Sequence, residues 1–140
     1  MTTTESDTPT NGEPPRRTLL SLTRDLFFEV RISAMASRAG WHCVAMQEYV
    51  NPTEVVPRVR PDIILVEQHA QGNRWLEVIH AARTADHGPI PVIAFGSHMD
   101  LDARDAALAA GATTVVANSR LSRDLLLLLN TYAPTASTSR

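Results

Sequence analysis

Five short apolar runs recur along this chain, and each is followed by a segment with helical spacing or helix-end signals. The runs are 18–22, 41–46, the block Ile63–Val66 within "PDIILVEQHA" (61–70), 90–95 and 113–117. Ile63, Ile64, Leu65 and Val66 form the unbroken apolar stretch expected of a strand covered on both faces. Between and after the runs, helices are expected over 25–40, 51–59, 74–85, 100–111 and 122–132. An alternation repeated five times leaves few options. It predicts a parallel sheet with helices on both faces, joined by right-handed crossovers. The fold class is therefore α/β, a three-layer α/β/α sandwich on a five-stranded parallel sheet.

The punctuation supports these elements. Leu26, Phe27, Val30 and Ala34 stand at helical spacing in the first helix, and Gly40 follows its end. In "DLFF" (25–28) one ring is expected in the core and the other beside the crevice. Asn51 is a capping residue, Pro52 suits a first turn, and Pro57 is expected to shorten or kink that helix. Asp100 caps the fourth helix and Gly111 stops it. Residues 1–16 and 133–140 are polar and read as disordered tails flanking one domain, 17–132. The first of them lacks the basic start and apolar core of a secretory leader.

Several chemistries are excluded early. The basic residues number thirteen, all of them arginine, so no mechanism that needs a lysine amine is available. A net charge of -2 gives no electrostatic footprint for nucleic acid. One cysteine, Cys43, cannot form an internal disulfide or a cysteine-only zinc site, and it reads as a buried inert thiol. No apolar run approaches the ~18 residues of a membrane span. The histidines, at 42, 69, 80, 87 and 98, show no paired metal-ligand spacing. His69 and His98 fall on loops at the carboxyl edge, where solvation is the simplest account. No nucleophile, base and stabiliser assemble, so an enzyme is not expected.

In such sheets the working crevice lies at the carboxyl ends of the strands. Thr23 and Arg24, Glu67, Gly96 and Ser97, and Asn118 stand there. "PDIILVE", "PVIAFGS" and "GATTVVANS", in that order, with 22 positions from Gly96 to Asn118, resemble the receiver domain of two-component response regulators. The resemblance covers nearly all of 18–132 and implies the flavodoxin-like strand order 2-1-3-4-5. It also implies an acidic pair holding Mg²⁺ after the first strand and a phosphoryl-accepting aspartate after the third. A Thr or Ser after the fourth strand, and a lysine after the fifth, would contact the phosphoryl group.

Carried over residue by residue, that site is dismantled. The acidic pair falls on Thr23 and Arg24, with Asp25 just after, and the phosphoacceptor falls on Glu67. The hydroxyl position falls on Gly96, with Ser97 adjacent; the lysine falls on Asn118 and the switch aromatic on Val115. Glu67 is expected either to pair with Arg24, replacing the phosphate–metal arrangement, or to point into water. The five leucines Leu125, Leu126, Leu127, Leu128 and Leu129 occupy all sides of a helix, which predicts a dimer or partner interface there, unless the helix lies deep in a groove.

The expected function is a stand-alone, cytoplasmic, receiver-like regulator in bacterial signalling. It would act by contact with a protein partner, as a homodimer or through the last helix, without phosphorylation, cofactor, nucleic acid or membrane. Two alternatives stay open: a phosphorelay receiver in which Asp25 and Glu67 recruit Mg²⁺, and a small-molecule binder using Arg24, Ser97, His98 and Asn118.

Overall fold

The computed structural model describes residues 16–48 and 50–133. The expected tails lie outside these apart from Arg16 and Ala133. Five strands, β1 (Thr18–Leu22), β2 (His42–Ala45), β3 (Ile63–Glu67), β4 (Val92–Gly96) and β5 (Thr114–Ala117), form one sheet in the order β2-β1-β3-β4-β5. Every neighbouring pair is parallel. The helices are α1 (Leu26–Arg38), α2 (Pro52–Val59), α3 (Arg74–Arg83), α4 (Leu101–Ala110) and α5 (Asn118–Tyr132). The expected α/β/α sandwich and strand order are present.

Side chains alternate across each strand, so a parallel sheet buried on both faces needs apolar residues at every position. β3 shows this directly. Ile64 and Val66 face a core formed with α2, α3 and α4, while Ile63 and Leu65 face one formed with α1 and α5. All four are fully buried, which is why the run is unbroken.

Helix ends follow local chemistry. The Asn51 side chain accepts from the Thr53 N–H at 3.0 Å, and Asp100 accepts from Ala103 N–H at 3.0 Å. Gly111, at φ +116°, closes α4 in a left-handed conformation that costs glycine little. Pro57 does not truncate α2, which continues to Val59 and ends at the left-handed Arg60. α5 begins at Asn118, four residues before the expected start, and bends at Asp124, whose φ and ψ are -117° and 26°.

The structure fixes the buried face of α1 and corrects the expected interface on α5. α1 turns Ile32 and Ala36 into the core with Phe28 and Met35 packed beside them, and leaves Leu26, Phe27 and Val30 exposed. In α5, Leu125, Leu128 and Leu129 are buried against the sheet and cannot contact a partner, whereas Leu127 is 61% exposed and Leu126 is partly exposed. The leucine-rich helix is thus mainly a core helix. Among the described residues, no helix is long and apolar enough to cross a membrane.

Candidate functional site at the carboxyl edge of the sheet

β1 and β3 are adjacent, and their outer neighbours β2 and β4 lie on opposite sides, so the chain connections diverge between them. The crevice opens at that point. β1 delivers Thr23 and Arg24 to its rim, and Asp25 then caps α1 by accepting from Phe27 N–H at 2.9 Å. β3 delivers Glu67, and β5 ends where Asn118 begins α5.

Glu67 does not point into water, nor does it pair with the Arg24 side chain. Its Oε1 accepts from the Arg24 main-chain N–H at 2.7 Å, while Arg24 itself is exposed. The expected guanidinium–carboxylate pair is not formed among the described residues. The main-chain donor is already held by the end of β1, so this contact orders one long side chain instead of two. The carboxylate therefore ties the β1–α1 turn to the end of β3.

An open cleft of about 260 Å³ lies beside this bond, lined by Asp25, Phe27, Phe28, Arg31, Glu67 and Asn118. Phe28 packs on Phe95 of β4 with ring centroids 5.4 Å apart, while Phe27 stands exposed at the mouth. This is the division of the two rings expected from sequence. Two carboxylates, Asp25 and Glu67, reach the cleft, each with one oxygen already committed. Among the described residues, no group of three or more His, Cys, Asp or Glu side chains is placed to hold a metal ion. The acidic-pair positions offer one neutral hydroxyl and a guanidinium, and so no anionic oxygen for a hard divalent cation.

Behind the cleft, Ser21 on β1 is buried, and its hydroxyl donates to the Glu29 carboxylate of α1 at 2.7–2.8 Å. Thr23 Oγ1 adds a longer contact to the same group at 3.3 Å. The acid nearest the buried end of β1 thus comes from the helix and serves to seat it. Nothing in the alternation singled Glu29 out, because its partner is a lone serine inside an apolar strand.

The β4 edge is arranged differently from the expectation that Ser97 and His98 line the crevice. Ser97 Oγ accepts from Met99 N–H at 3.1 Å, inside its own turn, and His98 is exposed; neither lines the cleft. Gly96 is covered by the Gln68 side chain, which is 3% exposed. Val115 is half-buried in β5, packed against the core on the α2–α4 side.

His69 has a specific partner in place of loop solvation. Its backbone is left-handed at φ +66°, its Nε2 lies 2.7 Å from Asp100 Oδ2, and its ring packs on Trp75 at 5.5 Å. The contact holds the Asp100 carboxyl below its usual value, helped by the Ala103 N–H. Glu67, Gln68 and His69 thus reach the β1–α1 turn, β4 and the α4 cap in turn. Away from this edge, burial pushes the Cys43 thiol up, in keeping with an inert role.

No protein-family model matches the sequence, and no curated protein does. Solved structures do match. A chemotaxis protein CheY4 from Vibrio cholerae superposes with TM-score 0.72 at 15% identity, covering 84% of this chain and 98% of that one. The receiver domain of a Pseudomonas aeruginosa sensor histidine kinase, solved with magnesium in its active-site cleft, gives 0.71 at 18% identity, covering 84% and 97%. A Thermotoga maritima response regulator gives 0.67 at 15% identity, covering 83% and 96%. Identities this low establish the fold, and the fold is that of receiver domains.

Proposed function

We propose that this chain is a receiver-like regulatory protein that works by binding another protein and has given up phosphoryl transfer at the end of β3. The observation that carries this reading is the bond from Arg24 N–H to Glu67. The carboxylate that stands where the resemblance puts a phosphoacceptor is spent on an internal contact that closes β1 against β3. Its surroundings agree: the acidic-pair positions are Thr23 and Arg24, and Asn118 supplies no cation.

The partner surface is best sought on α1. Leu26, Phe27 and Val30 are 75%, 81% and 58% exposed and lie within five residues of one another beside the cleft. Grouped exposed apolar side chains mark contact surfaces more often than scattered ones do. Leu126 and Leu127 offer a smaller patch on α5, through which a homodimer would form. A cytoplasmic, bacterial signalling setting, with no cofactor and no nucleic-acid or membrane partner, belongs to the same proposal. The small-molecule alternative has less support, since of its four contacts only Asn118 lines the cleft.

The test is amide NMR during titration with Mg²⁺ and then beryllofluoride, which mimics an acyl phosphate. We expect a flat response. Saturable shifts centred on Glu67, Ser97 and Asn118 would overturn the phosphorylation-independent reading.

A further inference from the structure

We propose that the Gln68 side chain is a built-in plug of the crevice, and that Gln68 and Gly96 are a matched pair in which the missing side chain of one makes room for the other. The proposal rests on the reading of a crevice closed to phosphoryl chemistry and names the group that closes its β4 side.

The register brings the two residues together. Glu67 is opposite Phe95, and the Gln68 N–H extends the ladder by donating to the Phe95 carbonyl at 2.8 Å. Gln68 therefore leaves β3 alongside Gly96. A Cβ built on Gly96 would lie 2.1 Å from Gln68 Oε1, 2.6 Å from its Cδ and 3.0 Å from its Cβ. Non-bonded atoms at optimal contact stand roughly 3.5–4 Å apart, so no residue with a side chain fits at 96 while Gln68 keeps its place.

The backbone gives no other reason for glycine there. Among the described residues, the glycines with positive φ are Gly40, Gly72, Gly88 and Gly111, and Gly96 is not one of them. Space, and not conformation, selects it. Gln68 is also 3% exposed, although glutamine is a residue type mostly found at the surface. A side chain at 96 and Gln68 in its present position exclude each other. Widening the crevice towards β4 requires the carboxamide to swing out.

The test is a double-mutant cycle on the full chain: native, Gly96→Ala, Gln68→Ala and the double variant, compared by melting temperature. Gly96→Ala should lower the melting temperature of the native chain clearly more than that of the Gln68→Ala chain, where only the 3.0 Å approach of the Cβ at 68 remains. Equal losses in the two backgrounds would overturn the proposal. Should Gly96→Ala not fold, a folded double variant supports the plug, and a double variant that also fails to fold counts against it. NMR of the native chain adds a direct readout. The Gln68 side-chain amide should exchange with solvent far more slowly than that of exposed Gln47, and equal rates would sink the idea. The beryllofluoride titration separates the two proposals. A response there with a coupled cycle removes the silent-crevice reading and keeps the plug, and a flat response with an uncoupled cycle does the reverse.

Discussion

A carboxylate at the end of a buried strand must place its charge somewhere, and Glu67 places one oxygen on a main-chain N–H. Glu67→Gln keeps the length and an accepting oxygen but removes the charge. Hydrogen bonds to charged groups contribute ~1.5–3 kcal/mol, and Glu67 is only half-buried, so a loss of about 1 kcal/mol in a urea melt is expected. No loss would mean that the negative charge adds nothing to the bond between β1 and β3. The His69–Asp100 contact makes a different prediction, because it is exposed and its effect is best read against pH. The Asp100 carboxyl titrates below its usual value of 3.8 in the folded chain, chiefly because of His69. Its contribution to stability is therefore present above the unfolded value and lost as pH falls through the lower folded one. The stability difference between the native chain and Asp100→Asn should shrink below about pH 4 as Asp100 takes up its proton. A difference that grew on acidification would contradict the contact. The end of β3 was legible in the sequence as the place where a charge had to be accommodated. The choice of a main-chain partner was not, because sequence lists side chains and Arg24 drew attention by its own.

At the scale of elements, α1 shows how spacing can find a helix without fixing which face it buries. Leu26, Phe27, Val30 and Ala34 repeat at helical spacing, and so do Phe28, Ile32, Met35 and Ala36. Spacing alone cannot rank two apolar stripes on one helix, and the sheet selects the second, with Phe28 seated on Phe95. The assignment can be checked by stability alone. Ile32→Ala removes a side chain that is 3% exposed and should cost about 3 kcal/mol, in the range of large-to-small core changes. Phe27→Ser should stay within about 0.5 kcal/mol, as surface changes do. The opposite ranking would mean that α1 is rotated. α5 repeats the lesson with leucines: five in a row cannot all face the sheet, and the helix sinks Leu125, Leu128 and Leu129 while Leu127 remains out. Sequence identified the excess of apolar surface and misjudged how much of it the core would take.

For the whole molecule, the alternation of strands and helices was readable from unbroken apolar runs and capped helices, whereas the strand order came only from the resemblance to receiver domains. The contacts along the carboxyl edge were harder to read, since Arg24–Glu67, Gln68–Gly96 and His69–Asp100 each join residues far apart in sequence and set by register. Under the proposed phosphorylation-independent reading, their combination predicts that no single replacement gives phosphoryl chemistry. Glu67→Asp returns a shorter carboxylate, but the rim beside it still offers Thr23 and Arg24, where a divalent cation needs a denser set of oxygens. Adding Asn118→Lys supplies a cation that can offset charge on an incoming phosphoryl group, yet the proposed Gln68 plug stays in place on the β4 side. Incubated with acetyl phosphate and Mg²⁺, both the single and the double variant should show no added phosphoryl group by intact-mass analysis. Labelling of Glu67→Asp alone would mean that the crevice keeps its metal site and its access. The identity of residue 67 alone would then decide phosphorylation, and the proposed Gln68 plug would have to be abandoned as a barrier to it.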